Sequence, residues 1–280
     1  MIFPFLAVIF NVIDVIKEKS IFSRKRKRYR IFVPFIFLFS FLIISIFLFP
    51  FLGKIDPEGL KIIPLLILGL VIIIAAIRNM MYYSGFYREG LSEIEPFVVF
   101  TPLLTILIAS IFYPDERNWG IIILAVVASL ALIFSHVEKK HLKIDKGIIP
   151  IMGAIVFESI ENNLIKELLY YYSPVAMYTV RVGLVALLLF IFLKPQVRDL
   201  SKKEIKNLFF VGLMWVLVMI FVYYGYQTVG IVYTFLVLML APVLIVFGSY
   251  VFLRERKIKR KDIIALIIVM FCVILSQFIR

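Results

Sequence analysis

The sequence predicts an all-α membrane protein of ten transmembrane helices, arranged as two inverted five-helix repeats. Three observations lead there. Of 280 residues, 63% are hydrophobic, against about 45–50% apolar residues in a soluble domain. The apolar residues fall into runs of helical length, and at roughly 20 residues per crossing ten crossings use about 200 residues. The two halves of the chain also carry one ordered series of residues twice.

In chain order, the predicted helices span 2–17, 31–52, 62–84, 94–112, 118–135, 148–168, 174–193, 205–226, 231–252 and 262–279. The first run has no basic region before Ile2–Ile16 and no small-residue cleavage site after it, so it reads as a retained helix. That helix has room to continue to Phe22 with its lysines snorkelling. The runs are continuously apolar rather than alternating, which excludes barrel strands. Pro64, Pro96 and Pro174 sit near helix ends, whereas Pro102 and Pro242 fall inside segments and predict kinks.

The connecting segments are as informative as the helices. The longest hydrophilic stretch, Lys17 to Arg30, is too short for a folded aqueous domain, which excludes a water-facing catalytic or DNA-binding module. The basic excess, 31 Lys and Arg against 18 Asp and Glu, therefore points to anionic lipid and not to nucleic acid. Alternate loops hold 24 of those basic residues and the other loops four, so the basic side is predicted cytoplasmic. Both termini are then expected outside, in a multi-pass protein of the plasma membrane. The block Arg24–Lys25–Arg26–Lys27–Arg28 reads first as a topology anchor, with a specific lipid or regulatory site as its alternative. The single cysteine, Cys272, excludes an internal disulfide and a multi-cysteine metal site.

The repeat divides the chain at 1–142 and 143–280. Tyr82–Tyr83, Gly90, Pro102 and Glu116–Arg117 recur as Tyr223–Tyr224, Gly230, Pro242 and Glu255–Arg256, offset by 139–141 residues. Ala7–Val8–Ile9–Phe10–Asn11–Val12–Ile13–Asp14 matches Ala154–Ile155–Val156–Phe157–Glu158–Ser159–Ile160–Glu161, and Lys17–Glu18 matches Lys166–Glu167. Five helices per unit is an odd number, so the units cross the membrane in opposite senses. Inverted repeats are an architecture of secondary transporters, with the substrate site near the midplane between the halves.

The segments FVVFTPLLTILIASIFYPDER and YTFLVLMLAPVLIVFGSYVFLRER each end in an acidic–basic pair before the last helix of their half, and YYSPVAMYTVRVGLVALLLF opens on Ser173–Pro174 with Arg181 inside. With these the chain resembles the EamA-type branch of the drug/metabolite transporter superfamily over nearly its whole length. The resemblance implies a gradient-driven exporter or facilitator of a small molecule, without ATP, and leaves the substrate unnamed.

Ionisable groups in bilayer helices cost about 2.5–3.5 kcal/mol each on insertion scales and are therefore functional candidates. Glu158 and Glu161 share one face of their helix, with Asn162 and Lys166 nearby. Glu161 lies 13 residues beyond Ile148, about 20 Å along the axis and near mid-bilayer. Asp14 occupies the matching position in the first half, with Asn11 one turn before it. A carboxyl in low dielectric favours its protonated form, which suits coupling to protons. The alternative is an internal ion pair of Glu161 with Arg181 or Lys166. Arg181 reads equally as a fork for a substrate carboxylate or phosphate and as a snorkelling side chain. Arg78 and Asn79 are expected as interfacial anchors, Tyr82, Tyr83, Tyr223, Tyr224 and Tyr226 as an aromatic belt, and Trp215 as packing. Gln227 is a polar contact of low specificity, and Thr101 a partner for backbone freed by Pro102.

No enzyme set is legible. His136 and His141 are the only histidines, and HExxH, GxSxG and glycine-rich phosphate loops are missing from the sequence. The sequence thus predicts a secondary transporter, an exporter or exchanger of a small polar or amphipathic metabolite, working by alternating access with protons as the candidate coupling ion. It predicts no cofactor, no metal and no enzymatic activity. The competing reading is a membrane-embedded enzyme or assembly subunit that acts on a lipid-linked substrate without transport.

Overall fold

The computed structural model describes residues 2–22, 28–89, 97–136, 147–196, 200–253 and 260–279. Arg24 to Lys27, Gly90, Pro96, His141, Glu255 and Arg256 lie outside the described residues. The described residues are mostly helical, with one isolated bridge between Ile55 and Tyr172 as the only strand-like pairing among them. The helices are α1 Ile2–Phe22, α2 Tyr29–Phe47, α3 Phe49–Leu52, α4 Ile62–Glu89, α5 Phe100–Phe112, α6 Trp119–His136, α7 Ile148–Leu168, α8 Pro174–Leu193, α9 Lys202–Val229, α10 Ile231–Leu238, α11 Leu240–Gly248 and α12 Arg260–Ile279.

Among the described residues, seven helical stretches are long and apolar enough to cross a membrane, the α10–α11 pair counting as one from Ile231 to Phe252. The protein is a multi-pass membrane protein, but three of the ten expected crossings fall short of that measure. Asp14, Lys17 and Glu18 make α1 too polar. Helices α5 and α6 are apolar but short. The expected helix over 31–52 breaks at Leu48, where Pro50 opens the short α3.

The kinks expected at Pro102 and Pro242 appear as fresh helix starts. Each proline is the third residue of its helix, after an interruption at Val99 and at Met239. Near a helix start the missing N–H costs nothing, because no intrahelical acceptor was available to it. Capping is orthodox elsewhere. Ser173 Oγ accepts from Ala176 N at the start of α8, and Ser201 with Glu204 forms a capping box on α9.

Helices of one half pack mainly on helices of the other. The most extensive contacts are α4 on α7 and α1 on α9, followed by α6 on α12 and α2 on α8. Lipid tails are as apolar as leucine, so such pairs are held by close van der Waals approach and buried polar bonds. Asn163 Nδ2 supplies one such bond from α7 to Thr105 O of α5 at 3.2 Å. Ser40 Oγ supplies another, from α2 to Gly212 O of α9 at 3.0 Å.

One end of the bundle is tied by the four loops that carry few basic residues. Asp56 N donates to Tyr171 O at 2.8 Å, Ser173 N to Lys54 O at 2.9 Å, and the Tyr172 hydroxyl to Gly59 O at 2.8 Å. Gln227 Nε2 donates to Leu169 O at 2.8 Å. Glu116 accepts from Ile231 N at 3.1 Å and Val232 N at 3.3 Å, beside Gly230, whose φ of +87° favours glycine. Lys166 Nζ lies 2.7 Å from Glu116 Oε1 and 4.2 Å from the centroid of the Tyr113 ring. Burial, reinforced by the nearby Glu167, pushes the Tyr113 phenol up, and its hydroxyl donates to Asn163 O at 2.8 Å. At the opposite end Arg28 pairs with Glu204.

The α4–α7 contact rests on Gly85. A Cβ there would meet Ile151 Cγ1 at 2.6 Å and Gly147 O at 2.7 Å, and a backbone oxygen cannot rotate away. Gly85→Ala is expected to cost about 1–3 kcal/mol by overpacking. A lowered melting temperature of the purified protein in detergent is the check; an unchanged melting curve would contradict this packing.

Candidate functional site

A cavity of about 280 Å³ lies within the bundle and reaches from mid-bundle toward the end opposite the tied loops. Helix α1 contributes Asn11, Asp14, Val15 and Glu18, and α4 contributes Arg78, Asn79, Tyr82 and Tyr83. Glu158 and Asn162 come from α7, and Trp215, Met219 and Tyr226 from α9. The two helix starts at Thr101–Pro102 and Ala241–Pro242 close the remaining walls. Spacings of three and four residues place each group on one helix face, which is why short stretches supply most of the wall.

Behind that wall lies a buried charge network. Glu161 is 1% exposed and does not line the cavity. Arg181 Nε donates to its Oε1 at 2.6 Å, and Arg181 Nη2 pairs with the same oxygen. Arg78 Nε stands 3.3 Å from Glu161 Oε2, and Arg78 Nη1 stands 3.1 Å from Glu158 Oε1. The Arg78–Glu161 contact is an ion pair by distance only, since neither atom makes an aligned hydrogen bond. Arg78 thus links the network to the cavity.

Asp14 has a different environment. It is 4% exposed and lines the cavity, and its Oδ1 has no hydrogen-bond partner among the described residues. The hydroxyls of Thr101 and Tyr226 are likewise unpartnered on the same walls. Asn79 uses its side chain locally, donating to Ala75 O at 2.7 Å.

Residues 145–278 match the EamA-like transporter family. The family consists of membrane transporters, and the match agrees with the likeness to the drug/metabolite transporter superfamily read from the sequence. For proteins of that family, a small-molecule substrate and the lipid bilayer are the implied partners. A solved crystal structure shares the fold at a TM-score of 0.72 and 13% identity, over 99% of this chain and 96% of the other. At that identity the likeness concerns the fold alone. No curated protein matches the sequence.

The EamA-like half supplies Glu158, Asn162, Glu161 and Arg181, all named as candidates from the sequence. The structure brings Glu158 and Asn162 to the cavity with Asn11 and Asp14 of the first half. It sets Glu161 and Arg181 behind the wall in the ion pair that stood as the alternative reading. Arg78 corrects its expectation. It is 7% exposed and ion-paired rather than an interfacial anchor. The boundary expected near residue 84 had placed it close to a helix end. Helix α4 in fact runs to Glu89, so Arg78 sits about three turns inside.

Tyr83, Tyr223 and Tyr226 are at most 4% exposed, and Tyr82, Tyr83 and Tyr226 line the cavity. The expected aromatic belt does not hold for these. Trp215 also lines the cavity, tilted against Phe37. The repetition of the tyrosine pair in both halves was the one signal that pointed inward.

Glu161→Gln leaves Arg181 without its carboxylate in a site that excludes water, and breaking such a pair costs about 3–5 kcal/mol. Lower expression and a lower melting temperature are expected for the single variant. In Glu161→Gln with Arg181→Met the orphaned guanidinium is gone, and part of the loss should return. Strictly additive losses in the double-mutant cycle would mean that the pair is not coupled.

Proposed function

We propose that the protein is a secondary transporter that moves a small polar or amphipathic metabolite outward, as exporter or exchanger, by alternating access of the central cavity. The cavity itself carries this reading, because its walls come from matching positions of the two sequence halves. Asn11 faces it with its counterpart Glu158, and Pro102 with its counterpart Pro242. The helix contacts support the same pseudo-symmetry. Exchanging the halves turns the α4–α7 contact into α9–α1 and α5–α7 into α11–α1, while α2–α8 and α6–α12 map onto themselves.

This is the arrangement of ten crossings in two inverted units of 1–142 and 143–280, with the site at their interface. In such a design one unit rocks against the other about a fixed site. The bonds of Lys166 to Glu116 and of Glu116 to α10 close the end with few basic residues. With the basic loops cytoplasmic, the end tied in this way is the outer one. Asp14 and Glu158 supply the carboxylates that a proton-driven cycle requires on the path.

Orientation is tested by cysteine labelling on a background lacking Cys272. An impermeant reagent added to intact cells should modify Ile55→Cys or Asp115→Cys and spare Gln196→Cys. The reverse pattern would place the termini inside and turn export into uptake.

Flux is tested in proteoliposomes with an imposed pH gradient and a panel of labelled amines, amino acids and nucleosides. Saturable, gradient-dependent movement of at least one solute is expected, reduced tenfold or more by Asp14→Asn. Well-folded protein that moves nothing above protein-free vesicles would sink the transport reading.

A further inference from the structure

We infer that the cavity takes its substrate by a cationic nitrogen, an ammonium group on a compact amphipathic body, held at Asp14 with Glu18 beside it. The inference rests on the transport reading and names its substrate class. Asp14 and Glu18 are four residues apart on α1, share one face, and both line the cavity. Each carries an unpartnered buried carboxylate oxygen among the described residues. Asp14 is nine-tenths and more buried, so its charge faces the cavity and not bulk water.

The two halves explain why this carboxylate is left over. At the matching position of the second half, Glu161 is neutralised by Arg181 from the next helix, α8. The next helix of the first half, α2, has Arg30 as its one basic residue, in its first turn. Arg78 reaches toward the site, but Glu158 and Glu161 already share its charge. Lys17, the neighbouring cation on α1, stacks 5.7 Å over Phe210, and it does not line the cavity.

In the cavity wall and immediately behind it, the four carboxylates of Asp14, Glu18, Glu158 and Glu161 thus stand against the two guanidinium groups of Arg78 and Arg181. A lone carboxylate is costly in a poorly hydrated site, and a cationic ligand offsets that cost whereas an anion adds to it. The aromatic setting selects further. Tyr83 and Trp215 stand beside Glu18 and line the cavity, which supplies aromatic surface for the apolar body that bears the ammonium. A volume of about 280 Å³ lies at the small end of ligand sites, which favours a compact amine.

The test uses the full chain in detergent. The protein has two tryptophans, so Trp119→Phe leaves Trp215 as the sole fluorescent reporter in the cavity wall. Phenethylamine, 3-phenylpropionate and phenylalanine share one aromatic body and differ in charge. Phenethylamine is expected to quench Trp215 saturably and to bind at least tenfold tighter than 3-phenylpropionate. Asp14→Asn should weaken phenethylamine at least tenfold without lowering the melting temperature. If that variant does not fold, Glu18→Gln is expected to weaken the amine severalfold, and the charge comparison on the parent protein stands beside it.

Phenylalanine binding as tightly as the amine supports the inference with zwitterions as the source of the ammonium. Weaker phenylalanine binding supports it with simple amines as the source. No saturable quenching by the amine, equal affinity for amine and propionate, or unaltered amine affinity in a folded Asp14→Asn protein overturns it. Gradient-driven flux of an anionic or neutral solute without amine binding would reject the cation site and leave the transporter standing. Amine binding without flux of any solute would do the opposite.

Discussion

Glu161 sits between two arginines in a part of the bundle that water does not reach, and much of the tertiary arrangement depends on that fact. Its carboxylate belongs to α7, Arg181 to α8 and Arg78 to α4. Three helices, two from one half and one from the other, are therefore locked by charges that cannot be solvated separately. In hydrocarbon the hydrophobic effect gives helices no reason to prefer one neighbour over another. A buried ion pair supplies that preference, because every wrong pairing leaves a charge exposed to lipid. Apolar contacts then fill in around it, and close approaches such as that at Gly85 become possible.

The same network shapes the cavity. Arg78 is oriented by Glu158 and Glu161, so its guanidinium forms a fixed wall rather than a mobile ligand. Opposite it, Asp14 has no such restraint. The asymmetry is physical in origin: both halves place a carboxylate at the equivalent position, and one of them also places an arginine in the next helix. A repeat that had stayed symmetric would be neutral at both positions. With the arginine on one side alone, Asp14 Oδ1 on the other has no hydrogen-bond partner among the described residues.

The interruptions before Pro102 and Pro242 make the cavity possible. Two straight helices crossing there would pack side chain against side chain. Breaks at Val99 and Met239 bend the wall away and put Thr101–Pro102 and Ala241–Pro242 at the edge of the open volume. Among the described residues, the tied loops and the helix breaks thus lie in different parts of the bundle.

The sequence by itself determined the membrane class, the all-helical state and most helix positions, because these follow from local apolar runs whose length must match a bilayer. It also placed Asp14, Glu161 and Arg181 inside apolar segments, and all three are buried, but it took the equally buried Arg78 and Asn79 for interfacial anchors. The repeat was legible for the same reason, being a pattern of residues along the chain. Pairing was not legible. Whether Glu161 faces solvent, proton or arginine depends on the rotation of α7 against α4 and α8, and one turn of error exchanges those outcomes. Arg78, Tyr82 and Tyr83 were misplaced because the end of α4 was drawn about five residues early, which turned interior positions into apparent interfacial ones. Only the tertiary structure decided that Glu161 is satisfied from within the chain and Asp14 is not, because that distinction lies in distances between helices remote in sequence.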